Sequence, residues 1–258
     1  MLNISLKDVM TQGYLYVEER QFTGKALGVM RDMHISCVFV MRNNTPTGII
    51  TERRIMGRAL TGINLYTAPV TEIMSRPLLS LTPENTIQEA CDFMTKHEIR
   101  HLGIVDAYGN LKGTVTPGNI VNLMGTESFS STALVKDVMH TNLVFEEESS
   151  TLKEAAAAII LQKTCCAIVM NNGYPVGVVS EKDVARCLGY GQDISGIRLN
   201  KIMSTPVIGV EETDTIAQGL ITLRKHHIHR VLVYNKEGKV SGILALGGLV
   251  ENIQKVLS

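Results

Sequence analysis

Ser180 and Asp183 stand three residues apart, directly after the apolar run Gly177-Val178-Val179, a spacing that can hold a polar ligand. A carboxylate can accept hydrogen bonds from both hydroxyls of a cis-diol, and charge-assisted bonds of that kind contribute about 1.5–3 kcal/mol each. At a strand-to-helix junction the hydroxyl and the carboxylate both lie near the helix N-terminus, where backbone N–H groups and the helix dipole favour a phosphate. Taken alone, S-x-x-D also reads as an ordinary N-cap with an acidic residue in the first turn. The pattern recurs in altered form. Gly113, Thr116 and Asn119 keep the hydroxyl and replace the charge by an amide; Gly48, Thr51 and Arg54 put a cation in the carboxylate's place; Gly242, Ala245 and Gly248 lack both groups. Ranked by retained chemistry, Asp183 comes first, Asn119 second, Arg54 third as a phosphate contact, and Gly248 marks an empty site.

An anionic ligand also needs cations. His226-His227-Ile228-His229-Arg230 and His97-Glu98-Ile99-Arg100-His101 supply them, Lys182 adjoins Asp183, and the matching places Ser36-Cys37 and Cys165-Cys166 offer none. Imidazole is the commonest metal ligand. However, the His226–His229 run crosses a helix end into a strand with no acidic or thiol ligand nearby, so a solvated helix end is expected and no metal. The five cysteines (37, 91, 165, 166 and 187) are odd in number and form no C-x-x-C pair. They read as free, buried thiols in a reducing cytoplasm. Nothing resembles a nucleophile–base pair, a metal cage or a P-loop, so a non-enzyme with no required cofactor is expected.

These groups are set on a repeating framework. KDVM, TEIM, KDVM and NKIM end at Met10, Met74, Met139 and Met203, and Gly48, Gly113, Gly177 and Gly242 keep the same beat of 64–65 residues. Thr86-x-x-Glu89, Thr151-x-x-Glu154 and Thr215-x-x-Gln218 have capping-box form, and Thr23 takes the corresponding place in the first copy without the partner. Each copy reads β-α-β-β-α. In the fourth, a short apolar segment at 207–210 leads to a helix carrying Ile216, Leu220 and Leu223. Strands 230–234 and 240–244 follow, joined by a turn at 235–238, and a helix at about 246–257 carries Leu249, Ile253 and Val256 on one face. One such unit cannot bury both faces of its sheet, so neighbouring copies should pair. The polar stretch 125–133 divides the chain into halves 1–126 (copies 1–62 and 68–126) and 127–258 (copies 133–190 and 197–258).

The chain has 258 residues and equal numbers of basic and acidic side chains, 25 of each, which argues against general attraction to nucleic acid or an anionic membrane. With 45% hydrophobic and 19% charged residues it suits a packed core rather than a disordered spacer. No apolar run approaches the ~18 residues of a membrane span, and no basic-then-apolar leader opens the chain. A cytoplasmic protein without nucleic-acid or membrane partners is expected.

Four such motifs in register resemble cystathionine-β-synthase-like (CBS) domains arranged as two Bateman modules. The resemblance implies an α/β fold (α+β-like) in which paired copies form pseudo-twofold modules whose clefts bind adenosine-containing ligands. In the best site it assigns Ser180 to ribose or phosphate and Asp183 to the ribose diol, with Lys182, His229 and Arg230 as phosphate contacts from two copies. Ile202, Met203, Pro206 and Val207 would face adenine, or else form core at the junction between copies. Thr116, Asn119, Arg100 and His101, with Thr51 and Arg54, make weaker sites. The function implied is that of a non-catalytic sensor that binds AMP, ADP, ATP or a similar molecule and signals to an effector protein as a homodimer, or as a disc made within one chain. A structural module with vestigial pockets and the regulatory part of a larger enzyme or transporter are the alternatives.

Overall fold

The computed structural model describes residues 2–126, 128–129 and 132–253. Copy one runs β1 (Thr11–Gln12), β2 (Tyr16–Glu18), α1 (Thr23–Asp32), β3 (Cys37–Arg42), β4 (Thr45–Thr51) and α2 (Glu52–Ala59). Copy two has α3 (Val70–Ile73), β5 (Ser80–Leu81), α4 (Ile87–His97), β6 (Leu102–Val105), β7 (Leu111–Val115) and α5 (Pro117–Met124). Copy three comprises β8 (Phe145–Glu147), α6 (Leu152–Leu161), β9 (Cys166–Asn171), β10 (Tyr174–Ser180) and α7 (Glu181–Gly189). Copy four comprises β11 (Gly209–Glu211), α8 (Ile216–Lys225), β12 (Arg230–Tyr234), β13 (Val240–Ala245) and α9 (Leu246–Glu251). Every copy is thus β-α-β-β-α with a parallel first pair and an antiparallel second pair of strands.

The helix starts obey the capping chemistry. Thr86 N donates to Glu89 Oε2 at 2.7 Å while Glu89 N donates to the Thr86 hydroxyl at 3.2 Å, and Thr151/Glu154 and Thr215/Gln218 repeat the exchange. Copy one departs from expectation. Its N-cap is Phe22, which offers no side-chain oxygen, and Thr23 is the first helical residue, fully buried, with its hydroxyl donating to the Ala68 carbonyl at 3.0 Å. α9 spans Leu246–Glu251 with Ile253 buried just beyond it, and the place expected for Val256 lies outside the described residues.

Two kinds of contact join the copies. Sheets pack in sequence-neighbour pairs. Phe39, Met41 and Ile49 of copy one meet Leu111 of copy two, and Cys166 and Ile168 of copy three meet Leu232, Ile243 and Ala245 of copy four. Helices pack across the halves instead: α1 and α2 lie on α7, and α4 and α5 on α9. The second set includes Ile120, Val121, Leu249 and Val250, all buried. Each such side chain contributes roughly 1.5–3 kcal/mol relative to exposure. The four strand-to-helix junctions therefore point toward one centre.

The two 64-residue beats explain each other. The Met of one copy lies on the Gly of its sheet partner, so that a Cβ at Gly48 would stand 2.8 Å from Met74 Sδ, one at Gly177 would stand 2.5 Å from Met203 Sδ, and one at Gly242 would collide with Met139. At Gly113 the intruder is the Thr11 carbonyl. Backbone pairing accompanies each contact: Ser75 with Ile49, Ser204 with Val178, His140 with Ile243, and Thr11 with Thr114. Each copy's entry phrase thus clips onto its partner's third strand, and glycine is required because no side chain fits beneath it.

Candidate functional site

β10 ends on Ser180, opposite Cys166 on β9, and the chain turns there into α7. Ser180 has extended backbone angles, and both its N–H and its hydroxyl donate to Asp183 Oδ2, at 2.9 and 2.8 Å. Arg186 Nη2 lies 3.1 Å from Oδ1. The two residues are 8% and 7% exposed. A carboxylate has about four lone-pair directions, so one remains on Oδ1, and a second hydroxyl can bind only by replacing the half-exposed Arg186 or the Ser180 hydroxyl. The structure brings Ser180 and Asp183 together and also forms the capping geometry that their spacing alone suggests. Arg186 escaped sequence reasoning, although its i,i+3 spacing from Asp183 was readable.

The other junctions differ as their residues do. In copy two, Thr116 N and Oγ1 donate to Asn119 Oδ1 at 2.9 and 2.7 Å, and Asn119 Nδ2 donates to the Thr11 hydroxyl at 3.0 Å. Thr51 accepts only from Arg54 N, at 3.3 Å, and the Arg54 guanidinium turns away to the carbonyls of Ile73 (2.7 Å) and Met74 (3.5 Å). In copy four a Cβ on Gly248 would meet the Val138 carbonyl at 2.6 Å and His140 Nε2 at 3.0 Å, so copy three's entry phrase occupies that junction. Of the residues expected to face adenine, Ile202 and Met203 are half-buried against the core of copy three, Val207 joins the core between the sheets of copies three and four, and Pro206 is exposed.

Charged groups from all four copies converge between the halves. Arg230 Nη1 donates to the Cys165 carbonyl at 3.1 Å. Burial opposes the charge of Arg230, but the fields of Cys165, Cys166, Glu181 and Asp183 outweigh it and hold the guanidinium above its ordinary value. His229 beside it is exposed and lowered by desolvation, then by Arg230 and Lys182. Lys182, also exposed, acts on Glu52 as well. Glu181, buried, ties three copies together. Its Oε2 lies 2.5 Å from Arg100 Nη2, and its Oε1 lies 2.5 Å from Arg53 Nη2, which gives its hydrogen bond to the Thr164 carbonyl. Glu52, the equivalent residue of copy one, is pushed up to about 7 by burial and by Glu181. His101 is pushed down to about 4 by burial and by Arg100, and its Nε2 lies 2.7 Å from the Ser36 hydroxyl. Neither carboxylate was picked out from sequence. They sit one residue after the hydroxyl in two copies, where copies two and four have Pro117 and Leu246. That asymmetry was the available signal.

Of the five free cysteines, Cys91, Cys166 and Cys187 are buried as expected, while Cys37 and Cys165 are only half-buried, Cys37 within the field of Glu52 and Cys165 beside Arg230. Among the described residues no three His, Cys, Asp or Glu side chains converge as a metal site, and no helix is long and apolar enough to cross a membrane.

A four-fold repeat of this unit, with its junctions turned to one centre, defines a CBS-domain protein, and the chain belongs to that family: the CBS domain model matches residues 6–60, 70–125, 135–190 and 199–255. Among its relatives is the CBS domain-containing protein YhcV of Bacillus subtilis, 32% identical over 140 residues, 54% of this chain and 98% of that protein. The uncharacterized protein MJ1404 of Methanocaldococcus jannaschii is 23% identical over 72% of this chain and 44% of its own length. In architecture the chain is similar to MJ1225 of the same archaeon, described as a candidate homologue of g-AMPK, with a TM-score of 0.85 at 18% identity over 97% of this chain and all of that one. A conserved protein of Pyrococcus horikoshii gives 0.66 at 20% identity over 96% and 99% of the two chains. These two likenesses establish the fold.

Proposed function

We propose that this chain is a non-catalytic regulatory protein that binds an adenosine-containing ligand such as AMP, ADP or ATP. The observation that carries the reading is the junction of copy three. Asp183 is held beside Ser180 at the head of a helix, and Arg230 of copy four lies in the field of that same carboxylate. Ribose bound at Asp183 directs its phosphates to the centre, toward Arg230, His229 and Lys182, with Arg100 and His101 beyond. Thr116 and Asn119 form a second, uncharged ribose site. No step of chemistry is required, and the residues act by binding alone.

The signal arises from competition at Glu181. This carboxylate already neutralises Arg53 and Arg100, one from each copy of the other half. A phosphate that takes Arg100 releases Glu181 and loosens a tie between the halves. A ligand with different affinity for the tied and released forms shifts their populations, and a partner copy or a cytoplasmic effector protein reads the difference.

The test is mass spectrometry of small molecules released from the purified protein, followed by calorimetric titration of the adenine nucleotide found. Asp183→Ala should weaken it by about one to two decades, the equivalent of about 1.5–3 kcal/mol for a charge-assisted bond. Arg230→Ala should weaken ATP more than adenosine. Equal affinity in wild type and Asp183→Ala removes the site from copy three. Failure of every adenine nucleotide to bind favours the reading of a structural module, a reading that the close approach of Val138 and His140 to Gly248 supports for copy four.

A further inference from the structure

Cys165 and Cys166 are neighbours in sequence at the head of β9, and their Sγ atoms lie 4.0 Å apart. Cys166 is fully buried between the sheets, whereas Cys165 keeps part of its surface exposed. Arginines pin the backbone on this approach: Arg53 donates to the Thr164 carbonyl and Arg230 to the Cys165 carbonyl at 3.1 Å. Among the described residues no carboxylate lies within ion-pair distance of Arg230. Burial works against its charge, and the fields that hold it are those of the two sulfurs, ahead of Glu181 and Asp183. The hydrogen bond from Cys166 lowers the Cys165 thiol; burial opposes that, and Arg230, Arg100 and His140 add to it. Cys166 is raised by the same bond and by burial, so the pair carries one negative charge with the remaining proton on Cys166. Copy one shows that the scaffold builds this juxtaposition. Cys37 opens its strand opposite Thr51 as Cys166 does opposite Ser180, and Leu102 pairs with Val115 as Val231 does with Leu244. Ser36 is therefore the counterpart of Cys165 and His101 that of Arg230, and there Oγ and Nε2 lie 2.7 Å apart. A neutral hydroxyl and imidazole in one half are replaced by a thiolate and a guanidinium in the other.

We propose that Cys165 is a modification site, oxidised by a small hydroperoxide to a sulfenic acid. The sulfur attacks the terminal peroxide oxygen, and the S–O bond forms as the O–O bond breaks. Cys165 loses two electrons, and the hydroxide or alkoxide that leaves takes a proton from water, giving water or an alcohol. The Arg230 guanidinium stabilises the charge that develops on the leaving oxygen. Oxidation stops at this stage. Neighbouring Cα atoms across a trans peptide stand about 3.8 Å apart, less than the ~4.4–6.8 Å of most disulfides, and Cys166 is fixed in the ladder opposite Ser180. A small external thiol reverses the change: it condenses with the sulfenic acid to a mixed disulfide and water, and a second thiol releases Cys165. None of these steps needs a bound nucleotide, so failure of the nucleotide reading leaves the proposal standing.

The experiment exposes the reduced full chain to hydrogen peroxide at pH 7 with dimedone present to trap sulfenic acid, and maps the adducts by mass spectrometry. Within the wild type, Cys37 is the internal control: it is equally half-buried, but burial and Glu52 push its thiol up to about 12. Trapping at Cys165 is expected to be roughly ten-fold faster than at Cys37, or more. Arg230→Gln, its fold verified by a melting curve, should slow trapping at Cys165 by roughly five-fold or more. Trapping at Cys165 no faster than at Cys37 overturns the proposal without recourse to any variant. An unchanged rate in folded Arg230→Gln, or a disulfide joining 165 and 166 in place of the adduct, also overturns it.

Discussion

Gly177→Ala tests how the copies are clipped together. The new Cβ would stand 2.5 Å from Met203 Sδ, 2.7 Å from its Cγ and 2.9 Å from its Cβ, so the whole stem of the side chain must move and a rotation of its tip does not suffice. Overpacking of this kind costs about 1–3 kcal/mol. Restricting a glycine in the unfolded chain returns at most about 1 kcal/mol, so a net loss remains. Met203→Ala alone should cost less than the ~2–5 kcal/mol of a fully buried Met, because Met203 is half-buried. In the double variant the new methyl at 177 faces only a methyl at 203, so the two closest approaches vanish and only the 2.9 Å contact between the two Cβ atoms is left to relax. The two substitutions should therefore be coupled favourably by about 1–2 kcal/mol, well above the ~0.5 kcal/mol scatter of independent sites. Urea unfolding of wild type, both single variants and the double variant closes the cycle. Losses that simply add would refute the proposition that the recurrent Met and Gly are one contact.

Other perturbations address the charged centre and the helix starts. For Glu52 the folded value is raised to about 7 from 4.5, so the folded state binds more protons than the unfolded one between those values and its contribution to stability falls as pH rises through them. Glu52→Gln should remove that loss, gaining up to about 3 kcal/mol by pH 8 relative to pH 4, as followed by denaturation at a series of pH values. His101 acts in the opposite sense: its folded value of about 4 makes stability rise between pH 4 and 6.5, so His101→Gln should flatten the acid limb. Glu181→Gln strips the partner from two arginines whose side chains are about a third exposed. It should lower stability by about 1–3 kcal/mol, below the value for a fully buried pair, while raising the affinity of a phosphate-bearing nucleotide in calorimetry. Phe22→Ser supplies the N-cap oxygen that copy one lacks and should raise the melting free energy by about 0.5–1 kcal/mol.

Periodicity carried most of the fold because repetition multiplies weak signals. A single S-x-x-D or -IM- phrase has several physical readings, but four at one interval restrict each to a role that every copy can fill. Capping boxes at Thr86, Thr151 and Thr215 were legible for a related reason: both partners lie within one turn, so sequence distance equals spatial distance. Copy one shows the limit. Thr23 looked like the missing cap, yet the hydroxyl is drawn to Ala68, forty-five residues on, and the chain starts its helix one residue earlier than the pattern suggests.

The site was legible only as far as its local pairs. Ser180 and Asp183 meet because a helix start brings i and i+3 together. What surrounds them is set by packing between halves, and the residues that converge there are separated by up to 178 positions, from Glu52 to Arg230. Glu181 is the decisive case. Beside Ser180 in sequence it reads as an acidic residue favoured by the helix dipole, and only the cross-chain positions of Arg53 and Arg100 turn it into an internal competitor for the cations a phosphate would seek. The same logic separates copy one from copy three. Both place a side chain at the third residue of the second helix, but Arg54 commits its guanidinium to the carbonyls of copy two, whereas Asp183 keeps one lone-pair direction of Oδ1 free beside a half-exposed arginine. Duplicated scaffolds thus differ in function through which of their junctions satisfy themselves and which leave a bond for a guest.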